Sequence, residues 1–122
     1  MADKLKLSEK TSTKLDHLSA RLELRRNIVC RLAIGRSFSM DKPVDIEVSN
    51  DSNGYEFNRT TIMGYDEFIF RAIATNIQGC ALNEEIFFNK IIRNHIEQGI
   101  EKLFDDYERI NSPVEFMKKL IN

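Results

Sequence analysis

The stretch LELRRNIVCRLAIGRS, Leu22 to Ser37, decides how this chain folds. It is apolar and basic at once: Arg25, Arg26, Arg31 and Arg36 follow Glu23 with no further acid. The residues before it have helical spacing, with Leu15, Leu18 and Leu22 on one face and Lys10, Lys14 and Arg21 on a flank. At about 100° per residue, Ile28 and Leu32 fall on the azimuth already held by Lys10, Lys14, Arg21 and Arg25. One straight helix over 9–36 would bury its own basic stripe. A break near Glu23–Arg26 removes the conflict, so the spacing predicts two helices, 9–22 and 26–35, with Gly35 as the stop.

Upstream, Leu5 and Leu7 alternate with Lys4 and Lys6, the period of a short half-buried strand, and Ser8 is placed to cap the first helix. Downstream, Pro43 breaks helix, and Val44, Ile46 and Val48 alternate with Asp45 and Glu47. The run Asn50-Asp51-Ser52-Asn53-Gly54 is turn chemistry, and Tyr55-Glu56-Phe57 suits a return strand. A hairpin or an ordered functional loop both fit Met40 to Gly64. Helices are expected over 65–77, 84–108 and 113–120, the last with Ser112 as cap, Pro113 in its first turn and Glu115 closing a capping box. The fold class is therefore mainly α: a short N-terminal strand, two helices, a central hairpin or loop and C-terminal helices.

A chain of 122 residues fits one domain, 1–122, with a core that needs no staples. No apolar run reaches the ~18 residues of a membrane span, and MADKLKLSEK lacks the apolar stretch of a signal peptide. Cys30 and Cys80 each sit in an apolar segment, which fits two buried thiols in a reduced, cytoplasmic chain. The net charge of −1 hides an asymmetry. Residues 1–42 hold ten Lys/Arg against five Asp/Glu, a surplus of +5, and residues 43–122 hold eight against fourteen, −6. Such an imbalance points to an anionic partner for the basic half.

Catalytic patterns are sparse. His17, His95, Cys30 and Cys80 have no paired metal-ligand spacing, so neither a metal nor another cofactor is expected. Cys30 has Arg26 and Arg31 nearby in sequence but also Val29 and Leu32, which favours burial over nucleophilic use. Asp105, Asp106 and Glu108 stand among Lys102 and Arg109, as a solvated helix end does. Asn58, Arg59, Thr60 and Thr61, between Gly54 and Gly64, suit either a phosphate or a loop that ties down its own backbone. Nothing in the pattern demands an enzyme.

Residues 5–34, LKLSEKTSTKLDHLSARLELRRNIVCRLAI, resemble the ribbon-helix-helix DNA-binding unit in their order of strand, capped helix, break and second helix. Leu22, Leu24, Arg26, Arg31, Ala33 and Ile34 occupy positions like that family's, whereas Glu23 stands where glycine is usual and Arg25 where Ser or Thr caps. Over nearly its full length the chain resembles the DndE family, most distinctively in GYEFNRTTIMGYDE, Gly54 to Glu67, through Gly54, Glu56, Phe57, Asn58, Arg59 and Thr61. The resemblance implies a small, mainly helical, non-catalytic DNA-binding component of a bacterial system that replaces a non-bridging phosphate oxygen of DNA with sulfur. It would work beside sulfurtransferase-like and ATPase-like partners.

Expected phosphate contacts are Lys4, Lys6, Lys10, Lys14, Arg21, Arg25, Arg26 and Arg36, binding duplex DNA without regard to sequence and favouring nicked duplex. Alternatives are a ribbon-helix-helix repressor reading base edges with Lys4 and Lys6, and a sulfur-transfer enzyme using Cys30 or Cys80. A lone strand has unpaired backbone groups, and Leu24, Ile28, Val29, Leu32 and Ile34 make the second helix very apolar. Both features predict a homo-oligomer, a dimer or a tetramer.

Overall fold

The computed structural model describes residues 3–47, 51–110, 117, 118, 120 and 121. Strand β1 (Lys4–Lys6) leads into helix α1 (Glu9–Leu22), whose cap Ser8 accepts from the Thr11 amide through its side chain. The break falls where the azimuth conflict demands it. Glu23 adopts the left-handed conformation (φ 56°) and Arg25 is extended, so helix α2 (Arg26–Phe38) starts with a fresh azimuth. The Ser19 hydroxyl donates to the Leu24 carbonyl and ties the turn. Gly35 does not stop α2, contrary to expectation: the helix runs to Phe38, and the Gly35 carbonyl accepts from the Ser39 amide. Burial of Ser37 and partial burial of Phe38 outweigh the modest helix penalty of one glycine.

The central segment corrects the hairpin expectation. Strand β2 (Glu56–Asn58) pairs antiparallel with β1, setting Lys4 opposite Asn58, Leu5 opposite Phe57 and Lys6 opposite Glu56. The return strand thus pairs with the N-terminus, and the lone strand that argued for a second copy has its partner within the chain. Val44 is held otherwise: its amide donates to the Gln78 side chain, which donates back to its carbonyl, at 2.8 and 3.2 Å. Val48 and Asn50 lie outside the described residues.

Beyond β2 come a short helix α3 (Arg59–Met63), a single 3₁₀ turn (Gly64–Asp66) and helix α4 (Glu67–Gln78). From Glu84 to Glu108 the chain is helical without interruption, as expected: α5 (Glu84–Ile86), a π-helical segment (Phe87–Ile92) and α6 (Arg93–Glu108). The wider π turns place Phe87, Phe88, Ile91 and Ile92 all in the core. Of the last helix expected over 113–120, Met117, Lys118 and Leu120 are helical, as is Ile121 just past it, whereas the Ser112, Pro113 and Glu115 capping signal lies outside the described residues.

Helix α2 packs along α6, so Val29, Cys30, Ala33 and Ile34 are buried within the chain and face Ile96, Gly99, Ile100 and Leu103 in one core. That corrects the view of α2 as too apolar for a single chain; Leu24 and Leu32 are partly covered by the same core. Cys80 is exposed, against expectation, because it follows Gly79, where α4 ends in the left-handed conformation and the chain turns outward. Among the described residues no helix is long and apolar enough to cross a membrane.

Candidate nucleic-acid interface

The eight expected contact residues do not form one face. Lys10 and Lys14, on α1, turn toward α6, where Glu101 lies 3.9 Å from the Lys10 ammonium and 2.6 Å from that of Lys14. Nearby, Glu97 accepts from the Ser8 amide, the Ser8 hydroxyl and the Thr11 hydroxyl at 2.8–2.9 Å, so the first turn of α1 already has its anion. The adjoining groove, about 770 Å³, is rich in carboxylates from Asp45, Glu47, Asp51, Glu97 and Glu101. Lys10 and Lys14 therefore border a cleft rich in carboxylates, with Glu101 beside both of them. Arg36 is likewise engaged, its Nε 2.9 Å from Asp106, which is thereby part of an ion pair rather than only a solvated acid.

The remaining cations gather around the α1–α2 turn and the sheet. Lys4 and Lys6 project from β1 to solvent, Lys4 at a long 3.9 Å from Glu56. Across β2 lies a shallow groove of about 510 Å³, lined by Arg25, Arg26, Asn27, Tyr55, Phe57 and Thr61 among others. Arg26 is held in place there: its Nε donates to Asp16 at 2.7 Å and its guanidinium lies 4.4 Å from the Tyr55 ring centroid. The Tyr55 hydroxyl donates to the other Asp16 oxygen at 2.7 Å. Burial opposes the Asp16 charge, but the hydrogen bonds from Tyr55 and Arg26 outweigh it and lower the carboxyl pKa. The Asp16 hydrogen bond correspondingly raises the pKa of Arg26 and of Tyr55. Arg21 and Arg25 are exposed and, with Lys6, form no ion pair among the described residues.

Two arginines have structural duties that the sequence pattern did not reveal. Arg31 donates from Nε to the Ile62 carbonyl at 2.6 Å, joining α2 to α3. Arg59 forms a two-pronged pair with Glu67 (2.7 and 2.6 Å), reaches Glu84 at 2.6 Å and lies over the Phe87 ring. Arg71 meets the same Glu84 and the same ring. Arg59 thus ties down its own segment, which decides against the phosphate reading of Asn58–Thr61 as far as its guanidinium is concerned. Partners eight and twenty-five residues away leave no local signal.

A family model for the DNA sulphur modification protein DndE matches residues 4–111. The chain belongs to the DndE family. Membership links it to DNA sulphur modification. A crystal structure of DndE from Escherichia coli B7A, described as involved in DNA phosphorothioation modification, shares its fold with a TM-score of 0.64. The two sequences are 22% identical, and the match covers 83% of this chain and 96% of that one. Comparison with curated protein sequences gives no match. The two proteins thus share the mainly helical fold described above, and in this chain the ribbon-helix-helix-like order of strand, helix, break and helix forms its N-terminal part.

Proposed function

We propose that residues 1–122 form one domain that serves as a non-catalytic, DNA-binding component of a bacterial, cytoplasmic phosphorothioation system, gripping the duplex backbone without regard to base sequence. The observation that carries this reading is that Lys6, Arg21 and Arg25 lack ion-pair partners among the described residues, in a chain of a DNA sulphur modification family. Lys4 and Arg26 border the same region, Lys4 on the strand paired with β2 and Arg26 in the groove beside it. Phosphates attract such cations by releasing condensed counterions, and arginine adds two-pronged hydrogen bonding.

Cys30 is poorly suited to sulfur transfer, being fully buried with its thiol pushed up to about 12 by that burial, which leaves the exposed Cys80 as the thiol that the enzymatic alternative would need. Sulfur insertion disturbs the phosphodiester backbone, so a component that grips phosphates on both sides of a break suits the system, with nicked duplex bound more tightly than intact duplex. The chain would act as a homo-oligomer beside sulfurtransferase-like and ATPase-like proteins.

The deciding experiment measures binding of the purified chain to intact and nicked duplexes of random and of defined sequence across a salt series. Steep salt dependence with no sequence preference is expected. Selective, tight binding to one defined site would favour the repressor instead. A pull-down from the native host tests the partners.

A further inference from the structure

Arg26 differs from the free cations around it. Its Nε is engaged by Asp16 at 2.7 Å, so an opposite charge already sits beside it and weakens its pull on a phosphate. Glu56 lines the same groove and adds a second negative charge there. The guanidinium nevertheless lies over the Tyr55 ring, 4.4 Å from the centroid, and 49% of the Arg26 side chain is exposed. The Tyr55 hydroxyl donates to the other Asp16 oxygen at 2.7 Å, so one carboxylate fixes ring and guanidinium as a unit. The ring covers one side of the guanidinium and leaves the other to the groove. Beside it, Asn27 uses its amide only in a long 3.5 Å contact to the Thr61 carbonyl, and Thr61 itself is exposed.

We infer that the outer face of the Arg26 guanidinium, backed by Tyr55, is a stacking platform for one unpaired nucleobase at a break in the duplex, with Asn27 and Thr61 at the edge of that base. The inference rests on the proposed binding of nicked duplex and says where the loosened base goes. Guanidinium planes are stacking surfaces for splayed-out bases, and an aromatic ring behind the cation holds the plane in place. A base is neutral, so neither Asp16 nor Glu56 opposes it, whereas both oppose a phosphate at the same spot. The groove, about 510 Å³, lies within the ~300–1,000 Å³ of small-ligand sites. Arg25 lines it as well and forms no ion pair among the described residues, so a cation stands ready for the phosphate next to that base. Taking a base out of the stack costs least where pairing and stacking are already disturbed, so the platform acts at a nick rather than within intact duplex. Every base has a π face, and the platform is therefore blind to sequence.

The test places 2-aminopurine, a fluorescent base whose emission rises when it leaves the stack, on either side of a nick and, as a control, inside an intact duplex of the same sequence. Saturating parent protein should raise the emission several-fold at a flank of the nick and leave the control unchanged. Arg26→Lys keeps the charge and removes the plane. That variant should still bind, but the emission rise should be lost and the preference for nicked over intact duplex should fall ~5-fold or more, the least that one stacked base contributes. Asp16→Ala makes the chain more positive yet releases the guanidinium, so the rise should shrink there too while binding to intact duplex does not weaken. Both side chains are about half exposed, and thermal melting checks that each variant is folded. A parent that binds nicked duplex with no emission rise, or a folded Arg26→Lys variant that keeps the whole rise, overturns the platform and leaves backbone binding standing. A parent that binds no duplex overturns the proposed function and the inference together.

Discussion

A Cβ atom added to Gly99 would lie 1.8 Å from the Ala33 carbonyl oxygen, so α6 and α2 touch backbone to backbone at this point. Neither partner has a rotamer to change, and any side chain at 99 must push the helices apart. Gly99→Ala should therefore cost about 3 kcal/mol or more of stability, the upper end for overpacking. Gly35, on the outer side of α2, is the control, since an added Cβ there meets nothing within 4 Å. Gly35→Ala should instead stabilise by about 0.4–1 kcal/mol through a stiffer unfolded chain and better helix propensity. Urea midpoints of both variants decide the matter, and equal effects would contradict the packing.

The two-helix division of residues 9–38 was legible because a helical period makes burying a basic stripe an arithmetic conflict. The residues at the break, Glu23 and Arg25, needed no glycine to obey it. The pairing of β1 with Glu56–Asn58 was illegible, since three-residue strands fifty positions apart share no period. Arg21 and Arg25 could be placed outside from azimuth alone, yet nothing near Lys14 announces Glu101, eighty-seven residues away. Charge on one helix face is readable from sequence. Whether a distant acid neutralises it depends on which helix packs there.

His95 should make stability depend on pH. It is fully buried, and the desolvation of its imidazolium lowers its pKa from 6.5 to about 4. The Ser37 hydroxyl accepts from Gln98 at 2.9 Å and lies 2.7 Å from His95 Nδ1, within hydrogen-bond distance. Nε2 has no hydrogen-bond partner among the described residues, and Phe38 stands edge-on to the ring at 4.8 Å. Between pH 6.5 and 4 the unfolded chain takes up a proton that the folded chain refuses. The contribution is complete above pH 6.5 and shrinks as pH falls toward 4, by about 3 kcal/mol in order of magnitude. Urea unfolding of the parent and of His95→Asn over pH 4–7 checks this. A slope that persists unchanged in the variant would assign it to other groups.

Arg59 should be needed for folding stability and not replaceable by lysine. Its side chain is only 13% exposed, pairs with Glu67 through two bonds and with Glu84 through a third, and covers Phe87. Lysine keeps the charge but loses the fork that meets Glu67 and Glu84 together. Arg59→Lys should cost about 1–2 kcal/mol and Arg59→Ala about 3 kcal/mol, since the alanine change removes both partners' hydrogen bonds, leaving Glu67 without its two-pronged pair and Glu84 to Arg71 alone. Thermal melts should order parent, lysine and alanine in that sequence. A lysine variant as stable as the parent would show that charge alone suffices.

If the chain binds duplex DNA as proposed, its cations should divide by their partners rather than by their place in the sequence. Lys6, Arg21 and Arg25 are exposed and lack ion-pair partners among the described residues, so each is available to displace a counterion. Alanine at any one of them should lower the slope of log affinity against log salt by ~1. Lys14 is already 2.6 Å from Glu101, and Lys10 shares that acid, so Lys14→Ala should leave the slope nearly unchanged. Removing the acid makes the sharper test. Glu101→Gln frees both lysines at once, which should strengthen binding and steepen the slope, provided that the DNA reaches this side of α1. A steeper slope in Glu101→Gln together with no effect from Arg25→Ala would move the DNA from the α1–α2 turn to the α1–α6 cleft. The opposite pair of outcomes would fix it on the turn and the paired strands.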